Sequence, residues 1–289
     1  MAAREWPLIA FTLLAQTGVG FFLAFTLPVV LAADRPGGRP ALLSSLGLVV
    51  VLLGIAAAFS LFHLGNPLNA WRTLGNLGAS WLSREILFLL MTMALLTVLF
   101  LLEWAQVGSR TLSAGVAVAG AIAGAALILS MAHIYRLEAV PGWDRAMTPF
   151  SFVMTAAIAG TLGAAAAPAL GLWRVGEAPH PLSGGMMIIA AALIAVDLCV
   201  VVLFDPNFGI LRAGVVVTAP SSGQRVLFLV RLALLVLAGL CVVLALRLGR
   251  PAVTGPAAWT TIAAAMAAGL ASDGLGRVLF FALFRKAGL

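Results

Sequence analysis

The sequence predicts an all-α, polytopic membrane protein of eight transmembrane helices, and three observations predict it. Hydrophobic residues are 63% of the 289 and charged residues only 9%, whereas a soluble globule carries about 25% charged residues. No soluble core could hide that much apolar surface, and the mean hydropathy is +1.13. The apolar residues gather in runs near the roughly 20 residues needed to cross a hydrocarbon core about 30 Å thick. Ala, Leu and Gly dominate these runs, without the short alternating segments of a membrane barrel.

The runs fall near 6–33, 41–64, 82–102, 112–136, 147–172, 183–204, 225–248 and 257–284. The first follows Arg4 and Glu5 with no small-residue cleavage site before a polar segment, so it is expected to stay as a helix. The second is stopped by Gly65 and Pro67, because Gly admits unusual backbone angles and Pro blocks further helical hydrogen bonding. The third is expected to start at a Ser83 cap, which would put Glu85 in its first turn. The fourth carries small residues at helix-contact spacing (Gly115, Ala119, Ala123; Gly120, Gly124). The fifth carries no charge. Asp197 lies in the sixth, Arg231 in the seventh, and Asp273 with Arg277 in the eighth.

Gly- and Pro-rich breaks separate the runs, among them DRPGGRP at 34–40, GEAPHP at 176–181, DPNFG at 205–209 and GRPAVTGP at 249–256. None is long enough for a soluble domain, so residues 1–289 are expected to form one integral membrane domain. An even helix count puts both termini on one face, side A, together with loops 65–81, 137–146 and 205–224. LFHLGNP and WLSREILFL in the first half resemble LFDPNFG and SSGQRVLFL in the second. Either low-complexity sequence repeats itself by chance, or a four-helix unit duplicated, giving units 1–146 and 147–289.

Two cysteines, Cys199 and Cys241, lie inside apolar runs and read as small core hydrophobes. They cannot ligate an iron–sulfur cluster, which takes about four cysteines. The net charge of +7 comes from loop arginines rather than a nucleic-acid face. No spacing suits zinc.

The polar segment HLGNPLNAWRTLGNLGASWLSREI, His63 to Ile86, interrupts this apolar background. Glu85 could serve only as a carboxylate favoured by the helix macrodipole, and His63 only as an interfacial imidazole. The functional reading links them, since ionisable residues at the rim of the apolar core usually mark a pathway or a site. Quinol oxidation needs such a pair: a His can bond one head-group oxygen and a carboxylate can accept a proton. A b-type haem between His63 and His133 competes, though each His is single; His180 sits in a Pro-flanked loop and reads as solvated.

Asp197, Arg231, Asp273 and Arg277 all lie toward side A, Asp197 and Arg231 both at a depth of roughly 10 Å. Asp273 and Arg277 are an i, i+4 pair. These four could neutralise one another as structural ion pairs or form a proton path. The depth match predicts a buried Asp197–Arg231 pair. A secondary transporter is the reading from another class, but no helix pair is broken at its centre.

Taken jointly, several motifs resemble the DmsC family, the membrane anchor subunit of dimethyl sulfoxide reductase, related to the NrfD/polysulfide-reductase anchor group. They are Glu5-Trp6-Pro7-Leu8 with Phe11-Thr12 and Gln16, His63-Leu64-Gly65-x-Pro67, and Ser83-x-Glu85-Ile86. Further along come Tyr135, Val140-Pro141-x-Trp143, Thr148-Pro149 and Asp273-x-x-Gly276-Arg277. Asp273 stands where the family commonly has Glu. The first 155 residues match well, while 170–260 match only in hydropathy.

The resemblance implies a haem-free anchor with eight helices in the bacterial inner membrane, surrounded by lipid and bound to no nucleic acid. It would oxidise menaquinol or ubiquinol and hold a four-cluster ferredoxin-like iron–sulfur subunit and a molybdopterin catalytic subunit. Its quinol site would comprise His63, Gly65, Pro67, Arg72, Ser83, Glu85 and Tyr135, with Glu85 and His63 doing the chemistry. The partner is expected on side A, where Arg72, Arg136, Arg145 and Arg212 would meet acidic groups. The Lys/Arg excess favours side A as cytoplasmic.

Overall fold

The computed structural model describes residues 6–32, 38–63, 67–138, 143, 146–167, 172, 181–205, 220–248 and 256–286. Eight helices among them are long and apolar enough to cross a membrane. They are α1 (Trp6–Leu31), α2 (Gly38–His63), α3 (Trp81–Ala105), α4 (Arg110–Ile134), α5 (Met147–Ala166), α6 (Pro181–Phe204), α7 (Ser222–Leu248) and α8 (Pro256–Lys286). A 3₁₀ helix, Pro67–Asn76, lies between α2 and α3. The helices start and stop within a few residues of the apolar runs, except that α5 ends at Ala166 rather than near 172. Ala167 N–H bonds back to the Ala164 carbonyl, tightening the last turn, and Pro168 has no N–H to extend the ladder.

α1 contains a π turn at Phe22–Thr26, closed by Leu27 N–H on the Phe22 carbonyl. Pro28 follows directly. A proline ring clashes with the carbonyl four residues back, and widening the preceding turn removes the clash.

The spans are unequally buried, and this decides the architecture. Inside the bundle, 61% of α1 and 72% of α5 are covered, against 28–44% for the other six. α1 and α5 therefore form the centre. α5 is two-faced: Phe152, Ala156 and Ala164 join the core of α1–α4, whereas Met154, Ile158 and Leu162 join that of α6–α8. α3 with α4 and α7 with α8 pack as outer hairpins. At the side-B end, Arg39 bonds the Glu103 and Trp104 carbonyls, and Arg110 bonds that of Ala32. Cations thus complete the C-termini of α3 and α1.

Glycines let the central helices touch backbone to backbone. A Cβ on Gly20 would collide with the Ala156 carbonyl, and one on Gly160 with the Gly20 backbone. Of the small residues expected at helix contacts, Gly120 abuts Leu96 and Gly124 abuts Val19, while Gly115 faces open space. Cys199, expected in the core, is exposed on the outside of α6; Cys241 is half-buried. Gly160→Leu is expected to destabilise the fold by at least the about 1–3 kcal/mol typical of overpacking. A lowered melting temperature of the detergent-solubilised protein would register it, with Gly115→Leu as the tolerated control.

Candidate functional site

The chain leaves α2 at His63 and turns through the 3₁₀ helix before entering α3. Ten residues is long for a 3₁₀ helix, and its link to α3 is tied by one side chain. Arg84 donates from Nε to the Leu77 carbonyl at 2.8 Å and from Nη2 to that of Gly78 at 2.6 Å. Its guanidinium lies 4.2 Å from the Trp81 ring centre, and Trp81 stacks in turn on His133 at 4.4 Å. His133 Nδ1 contacts the Leu129 carbonyl at 2.7 Å. A carbonyl only accepts, so Nδ1 carries the proton. His133, weighed as a haem ligand from sequence, thus has a packing role as the base of an Arg–Trp–His stack.

The cap of α3 differs from the sequence expectation. Ser80 is the N-cap, its Oγ accepting from Ser83 N–H at 3.3 Å. Ser83 is the third helical residue, buried, and Glu85 the fifth. Glu85 has passed the first turn, where the unpaired N–H groups lie, and the macrodipole falls off within that turn. Capping therefore does not explain it. Glu85 is 6% exposed, and its burial lacks a compensating cation among the described residues.

Tyr135 follows α4 and is also buried. Trp143, Phe152, Phe280 and Phe281 surround its ring at 5.4–5.6 Å between centroids. Trp143 Nε1 donates to the Phe280 carbonyl at 2.8 Å, and Thr148 Oγ1 to that of Trp143 at 2.6 Å. Three motifs separated in sequence thus meet around one phenol. Burial pushes the Tyr135 phenol above its usual range, Glu85 adding to the shift and Arg277 opposing it. The phenol therefore stays neutral, with Glu85 and Arg277 both within electrostatic reach.

Arg277 is the hub. Its Nη2 donates to Gln16 Oε1 at 3.1 Å, and its guanidinium carbon lies 3.5 Å from the Phe152 ring centre. The N-terminal and C-terminal motifs therefore touch in the bundle centre. Asp273, one turn away, lies within electrostatic reach of Arg277, Arg231 and Asp197, and beside the Thr155 hydroxyl. Gly276 is small because Arg231 crosses it: a Cβ there would stand 2.9 Å from the guanidinium carbon.

The expected Asp197–Arg231 salt bridge gives way to another. Arg231 Nη1 lies 3.7 Å from Asp205 Oδ2, and Asp197 is an electrostatic neighbour only. The guanidinium reaches toward the side-A end of α6, away from the depth of its own Cα. A long side chain carries its charge away from the depth of its own Cα, so depth along the helix does not fix its partner. Gln16 and Asp205 were visible as a lone amide in α1 and as the polar residue opening DPNFG, but their partners were not.

Of the other expected site residues, Pro67 begins the 3₁₀ helix and Arg72 is exposed on it. His63 closes α2, its side chain outside the described residues, as are Gly65, Arg145 and Arg212. Arg136 is exposed beside Tyr135.

Six spans around two central ones, with buried ionisable groups gathered toward one face, define a multi-pass membrane protein. The protein belongs to the DmsC family of DMSO reductase anchor subunits, whose family model matches residues 1–283. It is 32% identical over 158 residues to an anaerobic dimethyl sulfoxide reductase chain of Haemophilus influenzae, covering 54% of this sequence and 56% of that one. Its namesake from Escherichia coli K12 is 29% identical over 160 residues (55% and 56%). A sulfite dehydrogenase subunit of Allochromatium vinosum is 31% identical over 177 residues (56% and 54%). The matched segments span a little over half the length of these relatives.

Proposed function

We propose that this membrane anchor binds and oxidises quinol at the side-A end of α2, α3 and α4. The electrons pass to a four-cluster ferredoxin-like iron–sulfur subunit, and from it to a molybdopterin catalytic subunit, in the bacterial inner membrane. The observation that carries the reading is Glu85: a buried carboxyl, past the first turn of α3, with no cation among the described residues to neutralise it. A group so placed is costly for the fold, and quinol oxidation has a use for it. The two O–H bonds of quinol break, two electrons leave, and two protons need an acceptor.

Glu85 takes a proton, while the neutral Tyr135 hydroxyl and His63 are the head-group hydrogen-bond partners. Ser83 lies two residues before Glu85 on α3, and Gly65, Pro67 and Arg72, from the segment between α2 and α3, complete the proposed site. An apolar crevice of 440 Å³ between α1, α4, α5 and α6, lined by Ile128, Leu129, Val153 and Ala156, suits an isoprenoid tail. Its Val153 follows Phe152, a ring neighbour of Tyr135, in α5. Exposed Arg72 and Arg136 favour side A as the docking face.

Titration with a tight-binding quinol-analogue inhibitor tests the reading. One equivalent should bind per wild-type complex, and Glu85→Gln should weaken binding about tenfold or more, the scale of a charge-assisted hydrogen bond at about 1.5–3 kcal/mol. Equal affinity in both proteins counts against the site.

A further inference from the structure

Four charged side chains in the second half, Asp197, Arg231, Asp273 and Arg277, are 3–8% exposed, and the quinol reading leaves them without a task. Their arrangement is continuous. Tyr135 lies within electrostatic reach of both Glu85 and Arg277. Arg277 in turn neighbours Asp273 and Asp197, and Arg231, beside both carboxyls, ends on Asp205 at the side-A edge.

Charge balance separates this set from a plain structural salt bridge. Asp197 and Asp273 lie within electrostatic reach of each other as well as of Arg231 and Arg277. Two neighbouring carboxyls in a low-dielectric core favour a proton held between them, since both ionise there only at a cost. Gln16 Nε2 and Arg231 Nε are buried without a protein partner among the described residues. Donors of this kind are ordinarily satisfied by internal water, which is also what carries a proton between carboxyls.

We propose that Asp273 and Asp197 are relay residues that carry the protons of quinol oxidation from Glu85 to Asp205 and the side-A solution. The inference rests on the quinol reading above. In each step a quinol O–H bond breaks, its electron goes to the iron–sulfur partner, and its proton goes to the Glu85 carboxylate. Asp273 gains a proton as Asp197 releases one toward Asp205, so the relay holds the same number of protons after each turnover.

The test uses the intact complex, with Asp273→Asn, Asp273→Glu and Asp197→Asn compared for assembly, quinol-driven turnover, dye-driven turnover and solvent deuterium isotope effect. Each Asn variant should assemble, keep dye-driven turnover, and lose about 10²-fold in quinol-driven rate, the low end for an acid–base group. Its isotope effect should rise, and Asp273→Glu should recover most of the rate. Wild-type quinol rates and isotope effects in both Asn variants overturn the relay, as does failure of both to assemble. A wild-type complex that oxidises no quinol would instead overturn the underlying reading.

Discussion

Glu85→Gln is expected to lower quinol-driven turnover by about 10²–10⁴-fold, the range for losing a positioned acid–base group, while the complex still assembles. Gln matches Glu in volume, so packing around the buried site is kept. It places a neutral amide at a buried position that offers no cation among the described residues, which does not weaken the fold. It cannot take the quinol proton. A reduced dye that delivers electrons to the iron–sulfur partner bypasses the membrane site, so dye-driven turnover should stay at the wild-type rate. His63→Ala should give the same split. Quinol turnover at the wild-type rate in Glu85→Gln would sink the assignment, and loss of dye-driven turnover as well would point to misassembly.

Arg277→Met should be the most damaging single change to the fold. Met fills similar space against Phe152, but the Gln16 carbonyl oxygen loses its donor and Asp273 and Asp197 lose one of the two guanidinium groups beside them. Removing one member of a buried charge set costs about 3–5 kcal/mol, because the remaining charge is left uncompensated. Most of a domain's stability can vanish with that amount, so yield from the membrane should collapse. Adding Asp273→Asn removes one of the stranded carboxyls, and yield should partly return. Quinol-driven turnover should not, because the double variant also lacks a relay carboxyl. Full yield in the single Arg277→Met variant, measured by fluorescence-detected gel filtration, would show that the charges are solvated rather than mutually compensated.

Membrane partition is set by local composition, and that is why the spans were legible from the sequence alone. A run of apolar residues is a helix in lipid, since its backbone groups have no other partners. The sequence therefore determined the spans, their alternation between two faces, and the gathering of Glu85, Asp197, Arg231, Asp273 and Arg277 toward side A. The spacing of Asp273, Gly276 and Arg277 was readable too, though not its reason, which is the passage of Arg231 over Gly276. Tertiary structure alone decided which helices are central: α1 and α5 look no more apolar than their neighbours, but among the described glycines only Gly20 and Gly160 lie where two backbones meet. It also decided partners. Hydropathy fixes a residue's depth, whereas each step along a helix turns the side chain by about 100°, and a long side chain moves its charge several ångströms from its own Cα. Depth put Arg231 beside Asp197; rotation and reach put it on Asp205, and brought Arg277 to Gln16 from the far end of the sequence.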